Sequence, residues 1–138
     1  MKLFDADWVR EAAQRIHDDA VFQKRAKGFN VIYQYVVKPV AALGQTDEVR
    51  FAIKYPEAEQ VWMGNAEKPD FVMTTSYQVL HDILTGKTNA VLALTSRKAF
   101  VSGSLTTLLR YTGAINRVVE IFQSIPADAD GGLASIGR

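Results

Sequence analysis

The sequence predicts an α+β fold: a five-stranded, mostly antiparallel sheet covered by helices. Three observations carry that reading. Apolar residues recur at helical spacing near the start of the chain and again over residues 105–122. Between them lie short segments of period two, separated by turns rich in proline, glycine and asparagine. Strands in one run and helices in another favour separate α and β elements packed as layers.

The first helix is carried by Trp8, Val9, Ala12, Ala13 and Ile16, with Arg10, Glu11, Gln14 and Arg15 on the opposite side. Asp5 or Asp7 supplies its N-cap, because a short acceptor satisfies free amides of the first turn. Asp18-Asp19 interrupts it. A second piece follows with Val21, Phe22, Ala26 and Phe29, and Gly28 is its stop signal. From Asn30 the period is two. Val31, Tyr33, Tyr35 and Val37 share one face of a strand and Ile32, Gln34 and Val36 the other, which predicts cover on both sides before Pro39 ends it. Residues 41–47 read as a loop. Val49, Phe51, Ile53 and Tyr55 alternate with Arg50, Ala52 and Lys54 in a half-buried antiparallel strand. Residues 60–64 form a short third strand, and residues 70–75 a fourth with Phe71 and Met73 on one face. Ser76 caps a helix carrying Val79, Leu80, Ile83 and Leu84 that closes at Gly86. A short helical segment is expected over 89–94, and a fifth strand over 98–102. Gly103 breaks that strand and Ser104 caps one long last helix of about five turns, carrying Leu105, Leu108, Leu109, Thr112, Ile115, Val118, Val119 and Phe122. The expected domain spans residues 1–126, and residues 127–138 read as a flexible tail with almost nothing to bury.

Composition excludes several functions. The chain has no cysteine, which removes disulfides, thiolate metal sites and a cysteine nucleophile. A net charge of +1, with no run of five or six like charges, leaves no basic stripe for nucleic acid. No apolar run reaches signal-peptide or membrane-span length, so a cytoplasmic location is expected.

Catalytic constellations are equally scarce. His17 and His81 stand at no metal-ligand spacing and read as surface or boundary residues. Val101-Ser102-Gly103-Ser104 lacks the G-x-S-x-G of a nucleophile elbow. Gly86-Lys87-Thr88 lacks the earlier glycine of a phosphate loop, since His81 stands there, and it closes a helix instead of opening one. Asp18-Asp19 and Glu57/Glu59 read as solvated turn carboxylates. No catalytic residue, cofactor or metal is expected. What stands out is the supply of large apolar groups: two Trp, five Tyr and seven Phe, with a last helix whose stripe is broader than a small sheet needs. Core packing explains most of that by itself.

Four motifs, in order, bring in a family. Asp19 to Phe29 looks like a "D-P-E-F-x-x-x-A-x-G" entry, and Pro69 to Thr74 like an "A-D-x-x-I-x" strand. Leu84-Thr85-Gly86-Lys87-Thr88-Asn89 looks like "L-x-T-G-K-x-D/N-P", and Arg97 to Ser104 like "G-K-[IL]-x-[IV]-x-G-[DS]". Arg97 replaces the glycine of the last motif, and Ala90 stands where many members have proline. Over about residues 8–122 the chain resembles the sterol carrier protein type-two domain family, as a bacterial-type stand-alone member.

That resemblance implies helices packed on one side of the sheet, with an apolar tunnel between the two. It also implies a non-enzymatic job: binding a fatty acid, acyl-coenzyme A, sterol or similar lipid for carriage or transfer. The alternatives are an accessory protein presenting a lipid or quinone-type substrate to a partner enzyme, and a small enzyme acting on a hydrophobic substrate. Leu80, Ile83, Leu84, Leu92, Phe100, Leu105, Leu108, Leu109, Thr112, Ile115, Val119 and Phe122 are the expected lining, with Tyr33, Tyr35 and Trp62 contributing from the sheet. The expected partner is the apolar ligand, with transient contact to a membrane or partner enzyme left open. The expected state is a monomer or homodimer.

Overall fold

Short polar side chains start the helices where the sequence places them. The computed structural model describes residues 4–41, 47–89, 92, 93 and 96–125. Its elements are α1 (Ala6–Asp18), α2 (Ala20–Arg25), β1 (Val31–Lys38), β2 (Val49–Tyr55), β3 (Val61–Met63), β4 (Phe71–Ser76), α3 (Tyr77–Leu84), β5 (Ala99–Ser102), α4 (Leu105–Arg110) and α5 (Thr112–Ser124). Asp5, and not Asp7, caps α1 by accepting from the Trp8 amide at 2.9 Å. Asp19, Ser76 and Ser104 do the same for α2, α3 and α4. Leu92 and Ala93 are helical, within the segment expected over 89–94. Most of the 41–47 loop and the whole 127–138 tail lie outside the described residues.

Asp19 corrects one expectation. Its carboxylate is not simply solvated, because it also accepts two hydrogen bonds from Arg117, from Nε at 2.8 Å and Nη2 at 2.7 Å. Those bonds hold its carboxyl below the usual range. The α1–α2 junction is thereby tied to α5.

The sheet order is β3-β2-β1-β4-β5. The β1–β2, β2–β3 and β4–β5 pairs are antiparallel, and β1–β4 is parallel. A parallel pair needs a crossover, and here the link from β3 to β4 passes back over the sheet without a helix. It runs across the face away from the helices, where Gln34 holds it. The Gln34 amide donates to the carbonyls of Phe51 at 3.1 Å and Gly64 at 3.0 Å, and accepts from the Ala66 amide at 2.8 Å. This explains why Gln34 and Val36, on the outward face of β1, are buried as expected.

The other face carries the core. Phe4, Trp8, Phe51 and Phe122 pack with ring centroids 5.0–6.5 Å apart. α1 and α2 pack on α5, as do α3 and α4.

The one long last helix is in fact two. Tyr111 ends α4 and precedes α5 with φ −102° and ψ 24°. Thr107, Thr112 and Gly113 are weak helix formers around this point. The Tyr111 ring packs on Phe29 at 4.7 Å, and its hydroxyl donates to the Lys27 carbonyl at 3.3 Å. Local weakness and this tertiary anchor together bend the segment, so Leu105 and Leu109 leave the core stripe and stand 58% exposed.

Two positions near β5 need left-handed backbone. Gly103 has φ +122°, and a Cβ there would lie 2.6 Å from Phe71 Cδ1 and 2.7 Å from the Asp70 carbonyl oxygen. Arg97 has φ +62°, a conformation that glycine adopts without penalty. Gly103→Ala is therefore expected to destabilise by more than ~1 kcal/mol. Arg97→Gly is expected to leave stability unchanged or raise it by up to ~1 kcal/mol. Urea denaturation of both variants checks the pair, and a stabilised Gly103→Ala refutes the account.

A second expectation concerns the clamp. Gln34→Leu removes the partner of a buried amide and of the Tyr35, Phe51 and Gly64 carbonyls, and is expected to cost at least ~2 kcal/mol. A near-neutral result in the same assay would show that the crossing link holds itself.

Candidate ligand cavity

Strand alternation decides what floors the space between sheet and helices. On β1, Tyr33 and Tyr35 point toward the helices. The register sets Tyr35 beside Met73 and Val37 beside Thr75, then Met73 beside Val101 and Thr75 beside Ala99. Tyr33, Tyr35, Met73, Thr75, Ala99 and Val101 form the floor of a cavity of about 340 Å³. Leu80, Ile83 and Leu84 of α3 form one wall. Leu105, Leu108 and Leu109 of α4 and Thr112, Ile115, Asn116, Val118, Val119 and Phe122 of α5 form the rest, with Ala93. Small residues at 93 and 99 leave room that larger side chains would fill.

Three of the expected lining residues lie elsewhere. Trp62 pairs with Ala52, which pairs with Gln34, so it belongs to the outward face. Phe100 stands one residue off the inward positions Ala99 and Val101, and is 61% exposed. A shift of one residue in a strand turns a side chain to the other face, and for Phe100 only the register decides which. Leu92 is 55% exposed and does not line the cavity. Met73, Thr75, Ala93, Ala99, Val101, Asn116 and Val118 line it without having been expected. For Met73 a signal existed, since it alternates with Phe71. For Ala99 and Val101 the signal was their alternation with Phe100.

The lining is almost wholly apolar, and none of these side chains carries a charge. Its hydroxyls are mostly spent. Thr75 Oγ1 donates to the Lys98 carbonyl at 3.0 Å and Thr112 Oγ1 to the Leu109 carbonyl at 2.7 Å. The Tyr35 and Tyr55 hydroxyls bond to each other at 2.6 Å. Burial pushes both phenols up, so both stay protonated. His17 meets the Glu57 carbonyl at the surface, and His81 sits 3.6 Å from Asp82; neither lines the cavity. Among the described residues no group of three or more His, Asp or Glu could hold a metal ion. No helix among them is long and apolar enough to cross a membrane.

This arrangement of a mixed five-stranded sheet and helices is that of a known family. The model of the SCP-2 sterol transfer family matches residues 9–116, and the chain belongs to that family. Among solved structures it is similar to a crystal structure of sterol carrier protein 2. There the TM-score is 0.77 at 19% identity, covering 90% of this chain and 99% of that one. It is also similar to a conserved hypothetical protein of Thermus thermophilus suggested as a sterol carrier protein, with TM-score 0.77, 19% identity and coverage of 96% and 95%. The apo form of sterol carrier protein 2 from Yarrowia lipolytica aligns with TM-score 0.61 at 19% identity, covering 86% and 89%. At such identities these likenesses show the fold. A search of the curated proteins found no match to this chain.

The buried tyrosine pair yields an expectation for a double-mutant cycle. Tyr35→Phe strands the Tyr55 hydroxyl and is expected to cost ~1–3 kcal/mol. Tyr35→Phe with Tyr55→Phe removes both partners, so the double variant is expected to lose less than the sum of the singles by ~0.5–1.5 kcal/mol. Additive losses in chemical denaturation would show that the 2.6 Å contact contributes nothing.

Proposed function

We propose that the chain binds one apolar ligand, a fatty acid, acyl-coenzyme A, sterol or similar lipid, in this cavity and carries or transfers it. The observation that carries the reading is an uncharged, apolar space of about 340 Å³ between sheet and helices, rimmed by exposed Leu105 and Leu109. That volume falls within the ~300–1,000 Å³ of small-molecule sites. A sealed void of this size would cost on the order of 8 kcal/mol at ~24 cal/mol per Å³, as much as the whole stability of many domains. A space that opens at α4 and fills with an apolar ligand offsets that cost through binding linkage.

An enzymatic role finds less support. The cavity's strongly shifted groups are phenols, and burial pushes them up, which holds their protons in place instead of poising them for exchange near neutral pH. The exposed leucines at the rim support hand-over of the ligand to an apolar surface, whether membrane or partner enzyme.

The test separates rim from core. Leu105→Ala and Leu109→Ala remove side chains that are 58% exposed, and are expected to weaken displacement of a fluorescent fatty acid. Their stability cost is expected below ~1.5 kcal/mol, under the usual core range. Phe122 is buried against Trp8 at 5.1 Å, and Phe122→Ala is expected to cost ~3–5 kcal/mol. Probe titration of the wild type should saturate at one site per chain. Leucine variants that bind the probe unchanged, or a wild type that fails to bind it, would overturn the reading.

A further inference from the structure

We propose that the ligand carries a neutral oxygen, a hydroxyl or carbonyl, on its buried part, and that the Tyr33 hydroxyl binds it with Tyr35 alongside. This rests on the cavity being a site for an apolar ligand.

Tyr33, Tyr35 and Tyr55 form a cluster, with ring centroids 4.8 Å apart for Tyr33–Tyr35 and 6.1 Å for Tyr33–Tyr55. The Tyr35–Tyr55 hydrogen bond uses one hydroxyl hydrogen of the three. Among the described residues, the Tyr33 hydroxyl has no hydrogen-bond partner. The side-chain polar atoms both sealed and unpartnered there are Trp8 Nε1 and His81 Nδ1, so the Tyr33 oxygen keeps some open surface. Tyr33 itself is only 5% exposed and lines the cavity. A buried hydroxyl without a partner is unfavourable, and on a residue that lines an apolar space it is a recognition element for an acceptor.

The chemistry narrows the acceptor. Burial keeps the Tyr33 and Tyr35 phenols protonated, so both are neutral donors. The residues lining the cavity include no cation, so a carboxylate brought down to the phenols would lose its water without a counter-charge. A fatty acid would therefore enter chain-first and leave its carboxylate at the rim. A hydroxyl or carbonyl oxygen on the inward part avoids that penalty and meets the free phenol hydrogen.

Decanoic acid and 10-hydroxydecanoic acid differ only at the inward end. Each would be titrated against a bound fluorescent fatty acid on the wild type and on Tyr33→Phe. The wild type is expected to bind the hydroxy acid at least as tightly as decanoic acid. Tyr33→Phe is expected to weaken the hydroxy acid relative to decanoic acid by about 2–12-fold, the factor of one neutral hydrogen bond. Its melting temperature without ligand should equal or exceed the wild type's, since the lost hydroxyl had no partner. A wild type that favours decanoic acid tenfold or more overturns the proposal even if Tyr33→Phe does not fold. So does a Tyr33→Phe protein whose ratio is unchanged, and in both cases lipid binding itself stands. If neither acid displaces the probe and the probe itself fails to bind, the cavity reading falls and this proposal with it.

Discussion

The structure depends on one buried amide. Gln34 sits at the middle of the central strand, facing away from the helices, and its side chain bonds to the chain leaving β3 through Gly64 and Ala66. That link must cross β2 and β1 to deliver β4 to the far side of β1, and its backbone polar groups need partners as it crosses. Gln34 supplies both a donor and an acceptor there. With the crossing held, β4 lies parallel to β1, and β5 can add beyond it. Without it, neither Met73 and Thr75 nor Ala99 and Val101 would stand beside the tyrosines as the cavity floor.

The helical layer then leaves the cavity unfilled for identifiable reasons. Aromatic packing of Phe4, Trp8, Phe51 and Phe122 closes one end of the space between the layers. At the other end the break at Tyr111 turns α4 away from the line of α5. Leu105 and Leu109 then border open space and solvent at once. Several side-chain bonds tie α5 to the other helices: Arg117 to Asp19, Arg15 to Ser124 and Gln123 to the Ile83 carbonyl. The inner side of α5 is packed at Phe122, against Trp8 and Tyr35, and borders the cavity through Ile115 and Val119.

The proposed function follows from the asymmetry of this interior. One part is a dense aromatic core, another an uncharged space whose hydroxyls are bonded elsewhere except at Tyr33. Such a site gains affinity from apolar area and direction from very few polar contacts. Membership of the SCP-2 sterol transfer family agrees with a lipid-handling role. On this proposal the ligand's identity turns on the inward contacts and not on the fold.

Periodicity by itself determined most of the local structure. The helix stripes, the alternation of β1 and β2, and the caps at Asp5, Ser76 and Ser104 all follow from spacing and side-chain chemistry within a few residues. The apolar walls on α3, α4 and α5 were legible for the same reason, since a helix stripe names its own inner face. Register, crossover and helix continuity were decided only by tertiary structure. Phe100 is among the lining that the resemblance implies, yet its pairing with Thr74 turns it outward and leaves smaller Ala99 and Val101 inside. Trp62 misled for the same reason, and the single long helix failed because Tyr111 found partners 82 and 84 residues earlier, at Phe29 and Lys27. Each of these rests on a contact between segments distant in the chain, and no local pattern encodes which distant partner a residue will meet.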